Sequence, residues 1–401
     1  MKSKILFTTS ISHFINDGNS WFLPVTFTFL IEFLGISKLT IGILGSVFFA
    51  VSALAAPFIT KIADRSKRYS VIMGLGILLW GLSLILFGIS ISAKSLLAIV
   101  ISVALAGFSS AFYHPLGAAM LSITYRGSAG SALGINGSMG SLGRAIYPTL
   151  TLILFTLFHK DMLYSSLILG VISILASMTA FLATEKLQEY PDPKEPRSEE
   201  KEVNKGQGML RSTMGIVILL TIIALLRSVF TQGISQFLPT LLVENFNYSY
   251  GVNLGEATSL ALAAAVVGQP ILGLLSDRVG RRLIFSISTL GAVIALMAFL
   301  KFADIVYLVI FGLFTYSAFP LMLSLVGDFV PRGSTGFANS LVWGLGVTGG
   351  GVIGPIIVGI LSQINGLVFA SYSIAIVGLL SAILVVLIPK PAKRSKVPLF
   401  G

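Results

Sequence analysis

Apolar residues fill this sequence in long blocks that short polar segments separate. Each block has roughly the 20 apolar residues that a helix needs to cross a lipid bilayer. The pattern predicts an all-α polytopic membrane protein. The twelve predicted membrane-spanning helices lie at residues 6–32, 39–62, 71–91, 96–123, 129–157, 163–183, 213–242, 252–275, 283–301, 305–328, 336–361 and 367–388.

One long polar segment divides the predicted helices into two sets of six. Residues 184–212 are rich in proline, acidic residues and lysine, and they offer few apolar side chains to bury. This composition is typical of a disordered or loosely helical linker. We therefore predict an N-terminal six-helix bundle at residues 1–183, a cytoplasmic linker at 184–212 and a C-terminal six-helix bundle at 213–401.

The two predicted bundles share short sequence matches. Residues 57–68 (PFITKIADRSKR) match residues 270–282 (PILGLLSDRVGRR) at an offset of 213, and residues 17–24 (DGNSWFLP) match residues 232–239 (QGISQFLP) at an offset of 215. Because a repeat at half the chain length is typical of two copies of one unit, we predict two pseudo-symmetric bundles. In such folds the binding site lies between the copies, near the middle of the bilayer.

Composition and charge agree with lipid as the main solvent. Hydrophobic residues make up 55% of the chain and charged residues 11%, against about 25% charged in a soluble domain. The net charge of +11 is explained better by basic loops that orient a membrane protein than by a nucleic-acid partner. The predicted outer loops contain only Lys38, Lys94, Lys160 and Lys301. We therefore predict a multi-pass protein of the cell membrane with both termini in the cytoplasm.

Ionisable side chains inside the predicted helices are the strongest functional signal. Each costs roughly 2.5–3.5 kcal/mol unless it is paired or hydrated. His13 and Asp17 share one face of the first predicted helix, roughly 13 and 20 Å from its inner end, and His114 lies about 16 Å into the fourth. We interpret Asp17 and His13 as a proton-coupling pair. The alternatives are a structural ion pair and, for His114, a side chain that caps a carbonyl freed by the following proline.

Two arginines predict the charge of the substrate. Arg144 and Arg227 lie near the middle of the fifth and seventh predicted helices, and a guanidinium group needs an anion or several carbonyl groups. Asp17 neutralises one of them, which leaves one positive charge. We therefore predict a small anionic substrate such as a phosphonate, a phosphate ester or a carboxylate. The predicted substrate-binding residues are Arg144, Arg227, His114, Asn16, Gln232, Gln236 and Tyr147.

Several kinds of chemistry are not expected. The chain has no cysteine, which excludes disulfides, zinc–thiolate sites and thiol catalysis. No metal site is predicted, because no further carboxylate lies near His13 and Asp17 in the sequence. No glycine loop is followed by Gly-Lys-Ser/Thr, so neither a bound nucleotide nor another cofactor is predicted.

Over its whole length the chain resembles the major facilitator superfamily. Gly273-x-x-x-Asp277-Arg278-x-Gly280-Arg281-Arg282 is similar to that family's cytoplasmic signature, and the first copy departs from it at Thr60 and Lys67. His13-Phe14-x-x-Asp17 and Phe112-Tyr113-His114-Pro115 resemble the fosmidomycin-resistance-like branch. A glycine motif at 350–355 is similar to the family's antiporter motif but lies in the eleventh helix, not the fifth.

The resemblance implies a mechanism and a set of switch residues. It implies alternating access, a phosphonate substrate, and a conformational latch at the cytoplasmic side; a plain orientation signal is the alternative for the latch. The latch residues are Asp64, Arg65, Arg68, Asp277, Arg278, Arg281 and Arg282.

We therefore predict a monomeric secondary active transporter that moves a small anionic organic solute or drug by proton-coupled efflux. The alternatives are a proton-coupled importer of an organic anion or, from other classes, a channel or an intramembrane enzyme. An enzyme would need a nucleophile with a base, or a metal cluster, and the sequence provides neither pattern.

Overall fold

The computed structural model describes residues 2–125, 128–183, 209–330, 338–339 and 341–389. Within these ranges almost every residue is helical, which confirms the predicted all-α membrane fold. Most of the predicted linker, residues 184–208, lies outside the described residues, as does most of the segment that opens the eleventh predicted helix. The exact limits of the two bundles stay a prediction.

Six helices form the N-terminal half. Polar side chains start two of them: Ser37 accepts a hydrogen bond from the backbone N–H of Thr40 (3.1 Å), and Asp161 accepts one from Leu163 (2.9 Å). Such caps satisfy N–H groups that have no partner inside the helix. The helices are α1 Lys2–Leu34, α2 Lys38–Ser66, α3 Tyr69–Ser92, α4 Leu96–Tyr125, α5 Ala129–Leu157 and α6 Met162–Leu182.

The C-terminal half repeats this arrangement with two irregularities. A single tenth span was predicted, but the structure breaks it at Ala318, just before Pro320, which has no N–H to continue the helix. The last two predicted spans run together across a kink at Gly366 (φ 81°), after a π-helical segment at Val342–Thr348. The helices are α7 Met209–Phe246, α8 Val252–Val279, α9 Arg281–Phe302, α10 Ile305–Ser317, α11 Phe319–Phe329 and α12 Gly349–Leu384.

Length and hydropathy support the membrane assignment. Among the described residues, eight helical stretches are long and apolar enough to cross a membrane, and the stretch Val342–Leu387 has 46 residues, enough for two passes. Many large apolar side chains, such as Leu54, Phe58 and Leu97, are about 70% exposed on the outside of the molecule. Lipid is the solvent that suits such a surface.

The two halves are joined at one end of the molecule. We call the end where α1 begins the inner end and the opposite end the outer end. Toward the outer end Thr28 and Thr240 lie within 2.9 Å of each other, and Lys38 pairs with Glu244 at 2.8 Å. Gly42 of α2 lies directly against the backbone of Pro355 in α12. A glycine at such a position lets two helix backbones approach closely.

Candidate functional site

Asp17 is the centre of the candidate site. Its carboxylate is only 4% exposed, and Nη1 of Arg144 lies 2.6 Å from Oδ2. Nε2 of His13 lies 3.3 Å from the same oxygen, while Nε2 of His114 lies 3.4 Å from Oδ1. Nδ2 of Asn16 donates to Oδ1 at 3.0 Å. Three separate helices, α1, α4 and α5, therefore bring polar groups to one buried carboxylate.

Close packing of α1 on α5 makes this arrangement possible. Gly140 lies against the ring of His13, and Gly143 lies against the backbone of Phe14. A side chain at either position would overlap these atoms, so glycine allows the two helices to meet. Arg144, the next residue on α5, is thereby brought to Asp17.

Neutral polar side chains outside the predicted set of site residues complete the cluster. Nδ1 of His13 lies 2.8 Å from the backbone carbonyl of Asn136 and 2.9 Å from its Oδ1. Tyr113 donates its hydroxyl hydrogen to that Oδ1 at 2.7 Å, and its ring stacks on His13 with centroids 4.5 Å apart. Asn136 lies in a helix rich in glycine and serine, so its polarity gave no particular signal in the sequence.

A buried tryptophan and a serine orient the remaining donors. Nε1 of Trp80 in α3 donates to Oδ1 of Asn16 at 3.0 Å, which turns the amide nitrogen of Asn16 toward Asp17. Nη2 of Arg144 donates to Oγ of Ser141, one turn earlier on α5, at 2.9 Å. These contacts fix the orientation of both neighbours of the carboxylate.

The cluster lies on the side of the N-terminal half that meets the C-terminal half. The ring of His114 lies 6.0 Å from that of Trp343 in the π-helical segment. Trp21, one turn beyond Asp17, contacts Tyr316 of α10 with centroids 5.6 Å apart. The side chains of His114 and Arg144 are 41% and 23% exposed. A solute between the halves could therefore reach the side chains of His114 and Arg144, whereas Asp17 lies behind them.

The second arginine has different surroundings. Arg227 is 9% exposed and donates to Oγ1 of Thr289 (3.2 Å) and to the carbonyls of Phe314 (3.3 Å) and Thr315 (2.9 Å). Its guanidinium lies 5.6 Å from the ring centroid of Phe285. Among the described residues, all of these partners belong to the C-terminal half, and the carbonyls are at the end of α10 where the tenth span breaks. A buried guanidinium group needs an anion or several carbonyl groups, and the structure supplies carbonyl groups to Arg227.

The other predicted substrate-binding residues are more dispersed. Tyr147 is buried against α1, beside Phe14. Gln236 packs against Gly45 of α2, where the two halves meet, and Gln232 is partly exposed on the same helix. Only His114, Arg144 and Asn16 of the predicted set therefore gather at Asp17.

The turn of the C-terminal half forms a network inside that half. Arg281 lies 3.2 Å from Asp277 and 2.6 Å from Asp328, and Arg282 donates to the carbonyl of Val386 at 2.9 Å. Arg278 is exposed.

The turn of the N-terminal half has fewer contacts. Asp64 accepts a hydrogen bond from Tyr69 at 2.8 Å, and Arg65 and Arg68 are exposed. Each partner found for the two turns in the described part of the chain belongs to the same half, so their role as a latch stays a prediction.

The charge already present argues against a metal ion in the cluster. His13, Asp17 and His114 place one ligand atom each within 4.8 Å of one another. Arg144, however, occupies Oδ2 of Asp17 and supplies a full positive charge there. A divalent cation would add two more charges to a group whose only carboxylate is already neutralised.

Two halves of membrane-spanning helices that are joined at the outer end, with a buried polar cluster in the N-terminal half, are typical of a membrane transporter. The sequence model of the Major Facilitator Superfamily matches residues 9–255 and 220–401. The chain belongs to this superfamily, whose members transport small molecules and are not enzymes, and it is a secondary transporter.

Relatives and solved structures agree with this family. The fosmidomycin resistance protein of Escherichia coli (strain K12) is 24% identical over 366 residues, which cover 90% of this chain and 86% of that protein. A putative metabolite transport protein of Haemophilus influenzae is 26% identical over 159 residues, 39% of this chain and 38% of the relative. The predicted resemblance to the fosmidomycin-resistance-like branch is thereby confirmed.

Two solved structures share the fold. A bacterial homologue of the human lysosomal transporter Spinster, in an inward-facing and unoccupied conformation, superposes with a TM-score of 0.75 at 16% identity, covering 96% of this chain and 95% of that chain. The nucleoside transporter NupG superposes with a TM-score of 0.68 at 13% identity, covering 96% of this chain and 98% of that chain.

Proposed function

We propose that this protein is a proton-coupled carrier of a small, phosphonate-like organic anion in the cell membrane. It would work by alternating access between bundles at residues 1–183 and 213–401, as a monomer with both termini in the cytoplasm. The observation that carries the proposal is the buried pair of Asp17 and Arg144, with His13 and His114 against the same carboxylate.

The accessible charges of the cluster support an anionic substrate. Arg144 and His114 are the exposed members, and Asp17 is the buried one. A solute that enters between the halves therefore meets the guanidinium of Arg144 and the imidazole of His114 first, and a guanidinium can bind phosphonate, phosphate or carboxylate oxygens in pairs. A cation would have to displace Arg144 from a carboxylate that is hardly accessible.

Two histidines and a carboxylate in contact support coupling to protons. Histidine is the side chain whose charge ordinarily changes near neutral pH, and both rings lie against Asp17. A proton that binds to this cluster changes the charge that faces the substrate. The binding of the proton therefore changes the affinity for the substrate, which is what coupling two ligands requires.

The direction of transport has two candidates. The word resistance in the name of the Escherichia coli relative supports efflux, the direction favoured by the sequence analysis. Import of an organic anion together with protons is the second candidate. The Asp17–Arg144 pair favours this second candidate, because a proton that weakens the pair also frees the arginine for an anion.

Flux measurements in vesicles test the proposal. Purified protein in liposomes is expected to move fosmidomycin with saturable kinetics that an imposed pH gradient changes. Arg144→Gln is expected to remove this flux, whereas Ser138→Ala, an exposed position on the same helix, leaves it intact. Transport of organic cations but not of fosmidomycin or other anions would refute the proposal, and flux that rises without saturation would indicate a channel.

A further inference from the structure

In the C-terminal half a neutral amide stands at the position that corresponds to Asp17. The repeat that matches DGNSWFLP with QGISQFLP pairs Asp17 with Gln232. The two helices also contact each other through Thr28 and Thr240. At 1.5 Å per residue, Asp17 lies roughly 16 Å and Gln232 roughly 12 Å from this contact toward the inner end. The carboxylate and the amide are therefore at similar depths in the two halves.

The arginine of the cluster also has an uncharged counterpart. Gly42 of α2 and Gly255 of α8 are 213 residues apart, at the offset of the repeated basic turns, and each lies against the carbonyl of a proline in the opposite half. Four residues before these prolines come Arg144 in the N-terminal half and Gly351 in the C-terminal half. The ring of Phe49 lies against Gly351, so a long cationic side chain would not fit there.

The arginine that the C-terminal half does contain at membrane depth is already bound. Arg227 donates to Thr289 and to the carbonyls at the end of α10. Among the described residues of this half, the other charged side chains lie near helix ends. The part of the C-terminal half that lies level with the cluster is therefore polar but uncharged.

Gln232 faces the N-terminal half. Gln236, four residues later and therefore on the same face of α7, packs against Gly45 of α2. Gln236 is 7% exposed, whereas Gln232, one turn closer to the inner end, is partly exposed. The amide of Gln232 is therefore accessible from the space between the halves.

Aromatic side chains of the C-terminal half lie between α7 and the accessible groups of the cluster. The hydroxyl of Tyr316 lies 2.8 Å from Oγ of Ser235 in α7, and the same side chain is within electrostatic range of Arg144. The ring of Trp343 lies 6.0 Å from that of His114. One small molecule between these rings can therefore reach both Arg144 and α7.

We propose that the transported anion carries its charge at one end, on Arg144, and an uncharged hydrogen-bonding group at the other end, on the amide of Gln232. This inference rests on the proposed function and specifies its substrate class. An amide side chain both donates and accepts hydrogen bonds, so it suits an amide, an alcohol or a carbonyl group. A second anionic group would be buried there without a cation, which is costly. Dicarboxylates and bisphosphonates are therefore poor substrates.

Three phosphonates of similar shape test this inference. At the end away from the phosphonate, 3-phosphonopropanamide has a neutral amide, 3-phosphonopropanoate has a carboxylate that is ionised at neutral pH, and 3-methylbutylphosphonate has an apolar group. For purified wild-type protein in lipid nanodiscs at neutral pH, we expect the amide to bind at least about tenfold more tightly than the carboxylate. Equal Kd values for these two compounds, or tighter binding of the carboxylate, would overturn the inference.

Two substitutions test whether α7 receives the uncharged end. Gln232→Arg supplies a cation and is expected to reverse the preference, so that the carboxylate compound binds more tightly than the amide. Gln232→Leu removes the hydrogen-bonding group and is expected to bind the apolar compound at least as tightly as the amide. Gln363→Arg adds the same charge at an exposed position of α12 and is expected to keep the wild-type order.

The possible results separate this inference from the proposed function. If both Gln232 variants bind the three compounds in the wild-type order, the uncharged end does not lie on Gln232, and the inference fails while the proposed function stands. If Gln232→Arg does not fold, Gln232→Leu decides the question by itself. If the wild type binds none of the three phosphonates, the proposed function fails and the inference fails with it.

Discussion

The contact between α1 and α5 at Gly143 leads to a quantitative prediction. A methyl group placed on Gly143 would overlap the carbonyl oxygen of Phe14 and would lie 2.9 Å from its carbonyl carbon and 3.0 Å from its Cα. These are backbone atoms, so no rotation of a side chain can relieve the overlap. Gly143→Ala therefore has to push the two helices apart, in the turns that carry Asp17 and Arg144.

The same helix offers a matched control. Gly137 also lies in α5, but a methyl group there would meet no atom within 4 Å. Alanine in place of glycine stabilises a helix by about 0.5–1 kcal/mol in both variants. Overpacking a tightly packed contact costs about 1–3 kcal/mol, and only Gly143→Ala suffers it. The difference in unfolding free energy between the two variants is therefore expected to be about 1–3 kcal/mol, with Gly137→Ala the more stable.

Unfolding of the purified protein in mixed micelles measures this difference. Tryptophan fluorescence is a suitable signal, because Trp80 donates to Asn16 within the cluster. Anion binding is the second measurement, and we expect Gly143→Ala to weaken it while Gly137→Ala leaves it unchanged. If Gly143→Ala proves as stable as Gly137→Ala and binds anions normally, the close α1–α5 contact does not determine the site.

Two further contacts lead to predictions of their own. Lys38→Gln removes the ion pair with Glu244, in which each side chain is 23% exposed. The free energy that stabilises the contact between the halves is therefore expected to fall by about 0.2–1 kcal/mol. Ser46→Cys places a single thiol in this cysteine-free chain. We expect this thiol to react faster with a thiol reagent added from outside when Lys38→Gln is also present than when Lys38 is retained. An unchanged rate would contradict this. Arg227→Gln is expected to lower the unfolding free energy by about 1.5–3 kcal/mol and to change Kd for the anion less than twofold. A tenfold loss of affinity at unchanged stability would support its predicted role in binding.

The fold was largely predictable because lipid imposes a simple rule on sequence. Apolar blocks of the right length become helices, so α1 to α9 follow the predicted spans to within a few residues at most ends. The break at Ala318 was missed, although Pro320 was a signal for it. The last two predicted spans are separated by the kink at Gly366. The backbone is helical on both sides of the kink, and no loop lies between the two spans.

The candidate site was predictable only in part, because sequence gives depth in the membrane but not orientation around the helix axis. The high cost of burying charge singled out His13, Asp17, His114 and Arg144, and the structure brings these four together. The same criterion also selected Arg227, whose carbonyl partners depend on a helix break that was not predicted.

The position of the cluster constrains how coupling can work. Asp17 and Arg144 lie on helices that Gly143 keeps in close contact inside one half, while α5 meets the other half elsewhere, through Thr149 and Ser259 at 2.7 Å. A movement of one half against the other changes the second contact but leaves the first intact. Under the proposed function, the ion pair is therefore opened not by this movement but by a ligand that reaches it from whichever side is open.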